Sequence, residues 1–192
     1  MNPAISVVIP VRNGGDPTVT LKSLALQTFR QFDTIIVHDK ENRGAPWARN
    51  QGMKQVTTPL VLFSDDDVDW KPWALENMYS TLMKNSDASY SYGGFFVGGR
   101  LALQPGEFDR ESLRRQNFIS TMSLVRWAHH PGWDETLLRL QDWDVWLTML
   151  EQGHVGVPCG CVLFETKKRN GITHGGVTYD QAAAIVRKKH GL

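Results

Sequence analysis

Three consecutive carboxylates, Asp65-Asp66-Asp67, follow the short apolar run Leu60 to Phe63 and Ser64, and they are the residues best placed to do chemistry. Carboxylates so close repel one another, and beside a buried strand their charge is costly unless a cation offsets it. A divalent ion is the economical cation. Asp65 and Asp67 can converge on one ion or its waters, leaving other coordination positions for diphosphate oxygens. A solvated acidic turn is the plain alternative. A calcium loop is another, because Asp65, Asp67, Asp69 and Glu76 fall at EF-hand spacing. That loop fails on its neighbours: Trp70 stands where glycine is needed, Pro72 interrupts, and a strand leads in where an EF-hand has a helix.

The elements around this cluster decide which other residues can join it. Ile5 to Ile9 is a short run, apolar but for Ser6, that carries Val7, Val8 and Ile9 and ends at Pro10, as suits a buried strand. Asp16-Pro17 offers an N-cap with proline at the first helical position, and Val19, Leu21, Leu24 and Leu26 carry a helix to about Thr28. Phe32 to Val37 and Leu60 to Phe63 are further strands, with a short helix over Pro46 to Met53. Leu75, Met78, Tyr79 and Leu82 recur at i, i+3, i+4 and i+7, one face of an amphipathic helix. Ala88 to Tyr92 reads as a fourth strand, and Phe118 to Val125 as strand-like beyond a polar insertion. Leu140, Trp143, Leu147 and Leu150 mark a helix stopped by Gly153, followed by a strand over His154 to Phe164. Tyr179 to His190 reads as an amphipathic helix whose basic end faces solvent.

Alternating strands and helices predict an α/β fold with a Rossmann-like, mainly parallel, doubly wound sheet flanked by helices. Ligands of such sheets bind beyond the carboxyl ends of the strands. Chemistry is therefore expected in three loops: Pro10-Val11-Arg12-Asn13, His38-Asp39, and Ser64 to Asp67.

Length and composition fit one domain over residues 1–192. A net charge of +1 gives no broad field to draw in nucleic acid or an anionic membrane, so an anionic ligand must be held locally. No apolar run approaches a membrane span and no signal peptide is evident, so the expected location is cytoplasmic. The two cysteines, Cys159 and Cys161, stand too close in sequence for an ordinary bridge and lack zinc-finger partners; free thiols are expected.

Several motifs in order resemble the family of inverting GT-A glycosyltransferases, the nucleotide-diphospho-sugar transferase fold. They are Ser6-Val7-Val8-Ile9-Pro10-Val11-Arg12-Asn13, Ser23-Leu24-Ala25-Leu26-Gln27-Thr28-Phe29, Asn42-Arg43-Gly44 with Ala48-Arg49-Asn50-Gln51-Gly52, Phe63-Ser64-Asp65-Asp66-Asp67, Gly132-Trp133-Asp134-Glu135, and Gln141-Asp142-Trp143-Asp144-Val145-Trp146. The resemblance implies transfer of a sugar from a nucleotide diphosphate donor, a UDP-sugar by family habit, to an acceptor hydroxyl, with residues 1–100 as the nucleotide-sugar half and 101–192 as the acceptor half. It implies a nucleotide site at Pro10, Val11, Arg12, Asn13, Asp39, Arg49, Asp65 and Asp66, with Mn²⁺ or Mg²⁺ on the DxD pair Asp65 and Asp67. It makes Asp142 the catalytic base, a role suited to a carboxylate at the positive end of a helix. His174, in a glycine-rich loop that relatives close over the diphosphate, is a candidate for metal or phosphate. Arg126, Trp127 and Trp133 are expected to border the acceptor.

Two departures stand out. Asp39 and Asn42 nearly touch where the family has a longer segment, which describes a pared-down donor domain, and Gln141-Asp142 replaces the usual Glu-Asp. No Gln-x-x-Arg-Trp motif follows, which favours single-sugar transfer. A sugar nucleotidyltransferase of the same fold would need a glycine-rich loop after the first strand, where only Gly14 and Gly15 occur. A nucleotide-sugar binding module without catalysis would have no use for Asp142. Arg114, Arg115, Arg126, Trp127 and Lys167 to Arg169 would suit a polyanionic acceptor such as nucleic acid.

Overall fold

The computed structural model describes residues 2–167 and 176–192. The chain begins with β1 (Ile5–Arg12), α1 (Thr18–Ala25), β2 (Phe32–Asp39), α2 (Ala45–Met53) and β3 (Leu60–Phe63). Next come β4 (Val68–Trp70), α3 (Ala74–Lys84), β5 (Ala88–Val97), β6 (Arg100–Leu103), α4 (Arg110–Arg115) and β7 (Leu124–Arg126). A single 3-10 turn, Trp127–His129, leads towards α5 (Gln141–Glu151), β8 (Val155–Thr166) and α6 (Tyr179–Lys189).

One sheet runs in the order β2-β1-β3-β7-β5-β8-β4, with β6 paired to β5. The expected α/β fold is present, but the sheet is mixed. β1, β2 and β3 are parallel, and β5 and β8 are parallel. β7 runs antiparallel to both β3 and β5 and joins the two groups. β4 and β6 run antiparallel to β8 and β5. These short reversed strands carry too few residues for any period to show in the sequence.

Alternation along β1 explains the layering. Ile5, Val7, Ile9 and Val11 pack on one face with Leu24 of α1 and with Leu75, Met78 and Leu82 of α3. Val8 faces the other side, in a core with Phe63, Tyr90, Trp143, Trp146, Ala183 and Val186 from β3, β5, α5 and α6. α2 lies on this second face at close range, since a Cβ on Gly52 would stand 2.3 Å from Val8 Cγ1.

Three local expectations change. α1 ends at Ala25, short of Thr28. Of the stretch Phe118 to Val125 only its end enters a strand, because Trp146 Nε1 donates to Ile119 O (3.0 Å) and holds this part as a loop. The basic end of α6 is tied down: Lys189 meets Asp134 (2.7 Å) and Asp144 (2.8 Å), and His190 bridges Asp144 (2.9 Å) and Glu151 (2.7 Å).

Candidate active site

The carboxyl ends of β1, β2 and β3 open into one cleft of about 450 Å³, as the parallel topology requires. Pro10, Val11 and Arg12 line it from β1, Asp39 from β2, Arg49 from α2, and Asp65, Asp66 and Asp67 from the turn after β3. Asn13 lies next to the cleft in a tight turn closed by Gly15 N–H donating to Arg12 O (2.8 Å). A side chain on Gly15 would come within 2.7 Å of Asp66 Oδ2, so glycine lets the acidic turn approach β1.

The acidic turn is fixed by α1. Thr20 Oγ1 donates to Asp65 O (2.8 Å) and accepts from Val68 N–H (2.9 Å). Ser23 Oγ donates to Val68 O (3.2 Å), and Gln27 donates to Lys71 O (2.8 Å) and accepts from Leu75 N–H (3.0 Å). Motif residues far from Asp65 in sequence thus hold the elements that present it.

Asp39 is buried and spends both oxygens on its own loop: Oδ1 accepts from Arg43 N–H (2.9 Å) and Oδ2 from Gly44 N–H (2.7 Å). These bonds shape a connection in which Asn42 and Gly44 take φ of 55° and 107° and which starts α2 at the cleft. Four residues further on, Arg49 is buried with Nη2 donating to Asp65 Oδ1 at 2.9 Å, and its guanidinium lies 4.6 Å from the Trp133 ring centroid. Asn50 clamps the opposite wall, donating to Trp133 O (2.9 Å) and Glu135 Oε1 (2.8 Å) and accepting from Trp133 N–H (3.0 Å).

Glu135, Leu137, Leu138 and Gln141 complete the cleft. Asp142, the second residue of α5, adjoins this wall. Burial pushes its carboxyl up from the ordinary value, opposed by the Trp143 N–H, the Arg49 charge and the Asn117 side chain. Glu135, exposed and directly on the cleft, is a carboxylate that sequence reasoning passed over inside the Trp-Asp-Glu motif.

Among the described residues no group of three His, Cys, Asp or Glu side chains could hold a metal ion. Asp65 and Asp67 share the cleft, but Arg49 already neutralises one carboxylate of the turn. As an oxygen-only, incomplete set they fit a hard divalent cation whose shell is completed by a diphosphate. His174 lies outside the described residues.

The expected acceptor residues do not gather here. Arg126 faces Leu60 in the ladder, at the amino end of β3, and donates to Ala88 O (2.8 Å) and Leu82 O (3.1 Å). Trp127 follows it at that far end, with its N–H on Pro59 O (2.8 Å). Trp133 is buried under Arg49, 5.0 Å from the Phe63 ring, and supports the cleft instead of facing an acceptor. The described basic residues offered for nucleic acid are scattered as well: Arg114 pairs with Glu111 (2.6 Å), and Arg126 is committed to carbonyls, while Lys168 and Arg169 lie outside the described residues. A nucleic-acid acceptor finds no support. His130, its ring tilted against that of Phe63 at 5.0 Å, is driven down to about 3 by burial and by Arg49, so it stays neutral.

A family model described as glycosyl transferase family 2 matches residues 8–130, more than half of the chain. The chain belongs to glycosyl transferase family 2. It is similar to an uncharacterized glycosyltransferase, YwdF, of Bacillus subtilis, with 24% identity over 96% of this chain and 73% of that one. Its fold is similar to that of S. aureus TarS 1-349 in complex with UDP-GlcNAc, with a TM-score of 0.72 at 16% identity over 98% of this chain and 66% of that one. A second structure of that fragment, in complex with UDP, aligns with a TM-score of 0.66 at 17% identity over 88% of this chain. The chain thus spans somewhat less than two thirds of the solved fragments it matches, 60% to 66%. No helix among the described residues is long and apolar enough to cross a membrane.

Proposed function

We propose that this glycosyltransferase moves a sugar from a UDP-sugar to an acceptor hydroxyl in a single displacement that inverts the anomeric carbon. The observation that carries this reading is one cleft lined by Asp39, the first turn of α2, Arg49 and Asp65 to Asp67 on one side, and by Glu135 and Gln141 beside Asp142 on the other. The complexes of TarS with UDP-GlcNAc and UDP support a uridine donor.

In this reading the loop shaped by Asp39, together with Pro10 to Asn13, receives the nucleoside. Arg49 and the backbone N–H groups that open α2 face the diphosphate. Asp65 and Asp67 would hold Mn²⁺ or Mg²⁺, whose charge offsets the negative charge growing on the leaving nucleotide. Asp142 takes the proton of the attacking hydroxyl. Burial strengthens it as a base, while the Trp143 N–H, Arg49 and Asn117 favour its ionised form.

Asp142→Asn decides the assignment. UDP affinity should survive while turnover falls about 10²- to 10⁴-fold, with kcat and kcat/KM falling together. Parental turnover in that variant, with turnover lost in Glu135→Gln, would move the base to Glu135. A product that keeps the donor's anomeric configuration by NMR would remove single displacement.

A further inference from the structure

Cys159-Gly160-Cys161 sits at a break in β8. Between the pairs Tyr92–Pro158 and Gly94–Val162, β5 advances from 92 to 94 while β8 advances from 158 to 162, so β8 bulges. Gly160 turns the bulge at φ 68°, a conformation that suits glycine. Side chains two apart on a flat strand stand side by side, roughly 6.6 Å apart at the backbone. The bulge instead brings the two sulfurs to 3.9 Å. Gly93 on β5 leaves room for them: a Cβ there would lie 2.8 Å from Cys159 Sγ and 2.7 Å from Cys161 O.

The thiols are unequal. With both protonated, Cys161 donates to Cys159, and Cys159 donates to Tyr92 O at 3.0 Å. When Cys161 ionises, the Cys159 S–H turns to it; that bond lowers Cys161 to about 7 against the effect of burial, with help from Asn77 Nδ2 at 3.4 Å. The same bond and burial push Cys159 up. Both are partly exposed, and neither lines the donor cleft.

We propose that Cys159 and Cys161 form a redox-active dithiol that closes reversibly into a disulfide across the bulge, with Cys161 as attacking thiolate and a small-molecule disulfide as oxidant. Cys161 attacks one sulfur of RSSR; its bond to SR forms as the S–S bond of the oxidant breaks and RS⁻ leaves. RS⁻ takes the Cys159 proton, and the Cys159 thiolate displaces the second RS⁻ from Cys161. Two protein thiols are oxidised and one RSSR is reduced to two RSH, the second proton being the one Cys161 released on ionising. A ring closed across one residue departs from relaxed disulfide geometry and is therefore readily reduced, as a reversible switch requires.

The test incubates the full chain with glutathione disulfide near neutral pH and follows intact and peptide mass. The expected product is a monomer lighter by two hydrogens on the peptide carrying Cys159 and Cys161, restored by dithiothreitol. Cys159→Ser should stop at a glutathione adduct on Cys161, while Cys161→Ser should react at least about tenfold more slowly. Closure in the native chain should outpace closure in urea, since the bulge holds the sulfurs together. Accumulation of the adduct without closure in the parent, a bridge only between two chains, equal rates for the two variants, or equal native and urea rates would each overturn the proposal.

Discussion

Thr20→Val keeps the volume of the side chain and removes one hydroxyl, at a residue with no exposed surface. That hydroxyl links α1 to both ends of the acidic turn, through Asp65 O at 2.8 Å and Val68 N–H at 2.9 Å. Asp65 O retains the Ser64 hydroxyl at 3.1 Å, so the group left without a partner is the Val68 N–H. A buried orphan donor costs about 1–3 kcal/mol. In a chain of this size each kcal/mol lowers Tm by about 2–4 °C, so the variant should melt about 2–12 °C early. The turn also loses its anchor, and metal-dependent UDP affinity should fall several-fold, because Asp65 and Asp67 are no longer held in register. Scanning calorimetry and isothermal titration with UDP and Mn²⁺ read the two effects. Thr20→Ser is the control: it keeps the hydroxyl and loses a methyl group, so UDP affinity should stay parental. A Thr20→Val protein with parental Tm and UDP affinity would refute the role given to this hydroxyl.

Gly52→Ala should destabilise by about 1–3 kcal/mol in urea, because its Cβ would lie 2.3 Å from Val8 Cγ1 and a stiff β-branched side chain cannot yield; an unchanged midpoint would contradict the close packing of α2 on β1. Asp142→Asn should change how stability depends on pH. A carboxyl whose folded value lies above the ordinary 3.8 favours the fold below that value, and the contribution is lost as pH rises through the raised one. Stability of the parent relative to the Asn variant should therefore fall as pH rises above about 4, and urea titrations showing a constant difference would rule out the raised carboxyl.

The legible parts of the molecule were those with a strong repeating pattern. β1, apolar but for Ser6 and its last residue Arg12, and β3 are buried on both faces and stand out in the sequence, and α3 shows its period over Leu75, Met78 and Leu82. β4, β6 and β7 have three or four residues each, too few to show a period, and the partners of β4 and β7 lie far along the chain. The cleft was readable from the loops that follow parallel strands. Its far wall was not: Trp133 looks like a surface aromatic in a Gly-Trp motif, and contacts with Arg49, Asn50 and Phe63, all far earlier in the chain, make it a buried support. Arg126 misleads for a related reason, since a reversed strand carries it to the opposite end of the sheet.

That reversed strand also sets an order of assembly. The β2-β1-β3 group is complete by Phe63, yet its β3 flank waits for Leu124–Arg126, some sixty residues later in synthesis. Until then Leu60, Val61, Leu62 and Phe63 form an open, apolar border with unpaired backbone groups, the kind of edge on which chains stick together. β7 is therefore the late seal of the nascent chain, and three residues separate a finished sheet from an aggregation-prone one.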